Sequence, residues 1–143
     1  MKGTKFLILI FMSFTLVGCS NSIGSKIPEL KITTNHEDVL VTRGGYNWTT
    51  KLNESEVADT DSPLHIANDI EGTHVLPESQ LKLHFTKVPN KITVLSWHEK
   101  GADEWSSSND TFTTPAEKGT YIFEIIADWN QGTVSYIIKL IVE

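Results

Sequence analysis

The single cysteine of the chain, Cys19, is the residue whose type and position most directly predict a chemical reaction. Lys2 and Lys5 supply positive charge near the start of the chain, and an almost unbroken apolar run, 6–16, follows them. This order is typical of a secretory leader, and the apolar run is short for a membrane span. The sequence therefore predicts export, with residues 1–18 acting as a signal peptide.

The cysteine ends the tetrapeptide Leu16-Val17-Gly18-Cys19, which resembles the bacterial lipobox. In that motif a diacylglyceryl group is attached to the cysteine sulfur, and a dedicated peptidase cuts the chain before it. Several acyl chains, palmitate among them, anchor a protein stably, whereas one chain binds only reversibly. We therefore expect a lipoprotein held at the extracytoplasmic face of the cell membrane, with residues 19–26 as the lipidated cysteine and a polar tether. An ordinary signal peptide or an uncleaved anchor helix is the alternative.

The chain contains five histidines, a residue type that often binds metal: His36, His65, His74, His84 and His98. No two of them stand at the His-x-His or His-x-x-x-His spacing that zinc sites usually include. A composite site of His65, His74 and an acid from residues 54–71 is the alternative to solvated histidines. We expect the solvated histidines, with no bound metal and no cofactor.

Residues 51–72 form an acidic and poorly patterned segment, whose apolar content lies mainly in 64–67. Asp59-Thr60-Asp61 matches only the first part of a calcium-binding loop, which also needs a glycine and a distal glutamate. The sequence therefore predicts a long solvated loop with at most a short strand.

Aromatic residues could form a binding surface, because flat rings stack on the apolar faces of sugars. Trp48 and Trp105 lie near predicted loops, and Tyr46 is close to the first of them. Trp129 and Tyr136 lie in the most strongly patterned strands, so we expect them in the core. The candidate ligand-binding residues are therefore Tyr46, Trp48 and Trp105.

Charge and motif content disfavour two functional classes. The whole chain has a formal charge of −6, and removing Lys2 and Lys5 leaves ten basic against eighteen acidic residues, a charge near −8. Such an acidic surface disfavours binding to nucleic acid. The serines lack a Gly-x-Ser-x-Gly elbow, and lipid on Cys19 would block its sulfur as a nucleophile. We expect no enzymatic activity.

From Ile27 onward the dominant period is two, which is typical of β-strands. The clearest case is the C-terminal hairpin, where alternate residues of 121–129 and 133–142 are apolar and Asn130-Gln131-Gly132 forms the turn. We expect Gly132 to adopt a positive φ, and one face of the hairpin to be buried.

Shorter strands are expected before this hairpin, over 31–34, 39–43, 81–86, 92–99 and 111–113. About seven short strands separated by turns predict an immunoglobulin-like antiparallel β-sandwich over residues 27–143. A small barrel is the alternative. No internal repeat or second domain is expected.

Gly45-Tyr46-Asn47-Trp48, the turn before 92–97 and Lys118-Gly119-Thr120-Tyr121 resemble segments of small extracytoplasmic lipoprotein domains from Bacillus-type bacteria. The likeness covers most of residues 40–143. It implies a β-sandwich on a lipid anchor and no catalytic residue. Those domains often carry a cysteine near the Tyr-x-Trp segment and another in the following loop, and this chain has neither.

These observations favour a non-catalytic interaction module, held to the membrane by its lipid anchor, with an envelope protein or cell-wall glycan as partner. Free sheet edges and the loops at the ends of a sandwich are the surfaces that such modules use. The segments 45–49 and 51–72 are the candidate surfaces. A protease inhibitor, a regulatory subunit of an envelope protein and a cell-wall carbohydrate binder are the alternatives.

Overall fold

The computed structural model describes residues 26–34, 37–50 and 52–143. Cys19, the predicted signal peptide and nearly all of the predicted tether lie outside the described residues, as does His36. No helix among the described residues is both long and apolar enough to cross a membrane.

The described residues form twelve strands and one helix. In chain order these are β1 (Leu30–Thr33), β2 (Asp38–Val39), β3 (Thr42–Thr49), β4 (Ser55–Ala58), α1 (Pro63–Asp69), β5 (Thr73–Val75), β6 (Gln80–Phe85), β7 (Lys91–His98), β8 (Gly101–Trp105), β9 (Ser107–Ser108), β10 (Thr111–Thr113), β11 (Gly119–Trp129) and β12 (Gly132–Val142).

The strands form two packed sheets, which confirms the all-β sandwich. The small sheet has the order β2-β1-β6-β10-β9, and the large sheet has the order β4-β3-β12-β11-β7-β8, with β5 pairing parallel to the end of β12. The alternative of a single closed barrel is wrong. The expected number of about seven strands was too low, because edge strands of two to five residues are too short to show a period.

The C-terminal hairpin is confirmed. β11 and β12 pair along their whole length, from Gly119 opposite Val142 to Trp129 opposite Gly132. Gly132 has a φ of +148°. One face of this hairpin, including Phe123 and Ile138, is fully buried against the small sheet. Trp129 and Tyr136 belong to the same core, as expected.

Residues 51–72 are not a long loop, and this prediction was wrong. They contain the edge strand β4 and the helix α1, and residues 64–67 are helical rather than extended. The hydroxyl of Ser62 accepts a hydrogen bond from the amide of His65 at 3.3 Å, and Pro63 occupies the first turn. Both residues are typical of a helix start. The helix spans less than two turns, so its periodicity was too short to recognise.

The helix packs on the outer face of the large sheet, against β11, β12 and β7. Ala67 is buried and packs in a small second cluster with Ile122 and Ile137. The Lys139 ammonium donates to the carbonyl oxygen of Ala67 at 2.9 Å, which neutralises part of the helix C-terminal dipole. The outward-facing residues Glu124, Ile126 and Asp128 lie further along β11, outside this cluster.

Residues 39–43 do not form one strand, contrary to expectation. Val39 belongs to β2, whereas Thr42 begins β3, which runs through Gly44-Gly45 to Thr49. A bulge between Val134 and Tyr136 of β12 adjusts the pairing beside the two glycines.

Candidate functional site

The two candidate segments, 45–49 and 51–72, meet where β3 pairs with β4 in the large sheet. Gly45, Tyr46 and Asn47 of β3 and residues 57–61 line one side of a cleft of about 500 Å³. Its floor comes from the outward-facing residues of β11 and β12: Glu124, Ile126, Thr133 and Ser135. We name this depression the acidic cleft.

Glu124 is the chemical centre of the acidic cleft. Its side chain is half-buried, and each carboxylate oxygen accepts one hydrogen bond. The indole Nε1 of Trp97 donates to Oε2 at 2.8 Å, and the hydroxyl of Ser135 donates to Oε1 at 2.5 Å. These two donors fix the carboxylate in one orientation, because both partners sit on rigid neighbouring strands.

A second carboxylate–hydroxyl pair adjoins this centre. Asp128 lies four residues further along β11, on the same outward face as Glu124. Its Oδ1 accepts a hydrogen bond of 2.6 Å from the hydroxyl of Thr133, which stands opposite it on β12. The outer face of the hairpin therefore carries two carboxylates, each oriented by a hydroxyl group of β12.

The charge of the acidic cleft has one sign. Asp59 and Asp61 are exposed on its rim, and Glu124 lies in its floor. Among the described residues that line the cleft, none is basic. Arg43 lines an adjoining hollow together with Asp59 and Asp61, and it does not line the cleft itself. The arrangement attracts cationic groups and disfavours anionic ones.

The structure places the three predicted ligand-binding residues in three different environments. Tyr46 is half-buried and packs against the main core from the inner face of β3, at the edge of the acidic cleft. Trp48 is fully buried, so the expectation that it is exposed was wrong. Its ring meets the ring of Trp129 edge-on at 5.5 Å, because both residues pair with Gly132, from either side of β12.

Trp105 remains accessible, but it lies on another surface. It ends the edge strand β8, is half-buried, and meets the ring of Phe123 at 5.4 Å. The structure therefore does not bring Trp48 and Trp105 onto one aromatic platform.

The histidines are distributed over separate surfaces. His74 Nδ1 lies 2.7 Å from a Glu143 oxygen, whereas His65 Nε2 lies 3.7 Å from an Asp61 oxygen. No group of three or more His, Cys, Asp or Glu side chains is placed to hold a metal ion in the part of the chain that the structure describes. His65 and His74 do not share a site with a common acid there.

Sequence reasoning missed Glu124 and Ser135. The alternation of β11 and β12 correctly placed both residues on the outward face, where polar side chains need no special explanation. A signal was present, since Glu124 and Asp128 interrupt the most apolar segment of the domain. Their partners could not be identified without the strand register.

No protein-family model, curated protein or solved structure matches this chain. The resemblance to extracytoplasmic lipoprotein domains therefore stays a prediction. The acidic cleft combines the half-buried Glu124 carboxylate with the exposed Asp59 and Asp61.

Proposed function

We propose that this protein is a lipid-anchored, non-catalytic interaction module that binds a cationic segment of an envelope protein in the acidic cleft. The observation that carries the proposal is the half-buried Glu124 carboxylate, held by Trp97 and Ser135 beneath the exposed Asp59 and Asp61. Among the described residues that line the cleft, the nucleophilic groups are hydroxyls.

The carboxylates suit a lysine or arginine side chain. A cation that enters the cleft meets Glu124 where water is partly excluded, so the attraction is stronger than at the open surface. Asp59 and Asp61 on the rim raise the local concentration of cations and speed association. Because the rim is exposed, salt should weaken binding.

The anchor places the cleft within reach of membrane-associated partners. The hydroxyl of Tyr136 donates to the carbonyl oxygen of Pro28 at 2.7 Å, which fixes the start of the described domain. Burial raises the pKa of this tyrosine far above its ordinary value, so it keeps its donating proton. The polar residues 20–26 would span at most about 25 Å from the lipidated cysteine.

Photo-crosslinking in the native envelope tests the binding surface. We expect a photoreactive side chain at position 57, on the rim, to give a discrete protein adduct. The same side chain at position 76 is the control, because Val57 and Leu76 are exposed to a similar extent, 61% and 60%. Equal labelling from both positions would show that the acidic cleft is not the binding surface.

Glu124→Gln in the position-57 protein is expected to reduce the adduct about tenfold, since it removes one charge and keeps the side-chain shape. The matched control is Glu104→Gln, which removes the same charge from an exposed position on β8. Quantitative mass spectrometry of the adduct provides the measurement. An equal loss in both variants would indicate an unspecific effect of net charge and would contradict a role for Glu124.

Cys19→Ala tests the anchor separately. We expect radioactive palmitate to label only the wild-type chain, because the variant has no sulfur to acylate. Since the peptidase cuts before the lipidated cysteine, the variant should also keep residues 1–18 and migrate as the longer chain in gel electrophoresis. Palmitate label in the variant, or a variant that is cut like the wild type, would refute lipidation of Cys19 and leave the cleft experiment unaffected.

A further inference from the structure

We propose that a second, independent site binds a neutral polyhydroxylated glycan in a groove between Trp105 and Tyr121. The groove has a volume of about 520 Å³. Pro115 and Ala116 extend its apolar wall, and the exposed carboxylates of Glu78 and Glu117 border it. We name it the aromatic groove. Neither the acidic cleft nor the lipid anchor is needed for its binding chemistry.

Both aromatic rings of the groove are held in place before any ligand arrives. Trp105 Nε1 donates to the carbonyl oxygen of Thr113 at 2.9 Å, and the Tyr121 hydroxyl donates to the carbonyl oxygen of Glu117 at 3.1 Å. Both rings also contact Phe123, with centroids at 5.4 Å for Trp105 and 6.4 Å for Tyr121. A ligand would therefore meet ring faces that lose little freedom on binding.

Hydrogen bonds hold together the loops that form the rest of the wall. The hydroxyl of Thr114, which is buried, accepts from the amide of Ser79 at 2.8 Å and donates to the carbonyl oxygen of Leu76 at 2.8 Å. The amide of Glu78 donates to the carbonyl oxygen of Pro115. The groove is therefore preformed, which is the usual condition of small-molecule sites.

The donors and acceptors of the groove favour a sugar over a peptide. Grooves for proline-rich peptides combine aromatic rings with donors for the peptide carbonyls, but the indole and phenol protons here already bind backbone oxygens. Glu78 and Glu117 supply acceptors, which suit sugar hydroxyls. The groove contains two carboxylates and no basic side chain among its described lining residues, so an anionic glycan is disfavoured.

The groove lies at the end of the sandwich opposite the start of the described domain. Leu30 at the start of β1 pairs with Phe85 at the end of β6, whereas Gln80 at the start of β6 pairs with Thr113 beside the groove. On a chain tethered through its N-terminus, the groove therefore lies at the end of the domain that is farther from the tether. A glycan outside the membrane could reach it there.

Titration calorimetry on the full chain with chitotetraose, a neutral N-acetylglucosamine tetrasaccharide, tests the proposal. We expect saturable binding that Trp105→Ala weakens about tenfold or more and that Trp105→Phe weakens less, because phenylalanine retains a stacking face. Should the alanine variant unfold, the double substitution Glu78→Gln and Glu117→Gln is decisive. It changes two exposed side chains and should weaken binding several-fold, whereas Glu99→Gln on a distant turn should not.

Two comparison ligands test which chemical class of ligand the aromatic groove binds. A polygalacturonate oligomer and a basic proline-rich peptide should bind at least about tenfold more weakly than chitotetraose. No binding of chitotetraose, binding that is equal in all folded variants, or preferential binding of the peptide would each overturn the proposal. None of these outcomes bears on the acidic cleft, where Glu124→Gln should leave chitotetraose binding unchanged.

Discussion

Trp48→Ala is expected to lower the free energy of unfolding by about 3–5 kcal/mol, the usual cost of truncating a buried tryptophan. Trp48 is fully buried and meets Trp129 edge-on at 5.5 Å, while the Lys87 ammonium lies 5.8 Å from the centre of its ring. Small domains are stable by about 5–15 kcal/mol, so the loss would remove much of the total. Urea denaturation followed by far-ultraviolet circular dichroism measures it.

Two control variants separate packing from other effects. Trp48→Phe should cost less, since it keeps a ring against Trp129. Trp105→Ala should also cost less, because that side chain is half-exposed and leaves a cavity open to water. A loss of stability for Trp48→Ala no larger than that for Trp105→Ala would contradict the buried position of Trp48.

Gly132→Ala is the second substitution with a large expected effect, a loss of about 3 kcal/mol or more. Gly132 has a φ of +148°, where a side chain strains the backbone by about 1–3 kcal/mol. A Cβ there would also lie 1.9 Å from the carbonyl oxygen of Asn47, a distance that no side-chain rotation can relieve. Either β3 must move away from β12, or the hairpin turn must change its shape. Thermal and urea unfolding of the purified variant measure the loss.

Gly101→Ala provides the matched control for this prediction. Gly101 also has a positive φ, +137°, but a Cβ there would have no atom within 4 Å. It should therefore show the backbone strain alone, and the difference between the two variants isolates the steric contact with β3. Equal losses of stability would mean that the close approach of Asn47 to Gly132 does not exist in solution.

Gly132 shows how far sequence reasoning reached at this turn. The sequence predicted a positive φ for Gly132, because this glycine lies in the turn between two strands of alternating pattern, and glycine adopts a positive φ readily. It did not predict the contact with Asn47, since that contact arises when β3 pairs with β12 across most of the chain. Local conformation can be predicted from neighbouring residues. A steric contact between distant segments can be predicted only when the register of the strands is known.

The two tryptophans near predicted loops also show a property that the local sequence does not determine. Trp48 and Trp105 both follow short polar segments, and nothing in their immediate neighbours distinguishes them. The structure buries Trp48 because β3 is an interior strand between β4 and β12, and it leaves Trp105 half-exposed because β8 is the last strand of its sheet. Position within the sheet, rather than local sequence, sets the exposure of each ring.

The helix α1 was not predicted from the sequence, for a different reason. The acidic residues and the short apolar content of 51–72 favoured a loop. Packing of Ala67 against Ile122 and Ile137 supplies the stabilisation that so short a helix lacks by itself. The residues Ile122 and Ile137 lie on the outer face of the hairpin, and the sequence did not predict that a helix buries them.

The sequence by itself determined the β class, the C-terminal hairpin and the side of that hairpin that is buried. Side chains alternate along a strand, so the pattern of one segment is enough to assign its faces. The tertiary structure alone decided that residues 45–47 and 57–61 lie beside Glu124, and that Trp105 and Tyr121 flank a groove. These sites join residues far apart in the chain, and only the pairing of distant strands fixes their distances.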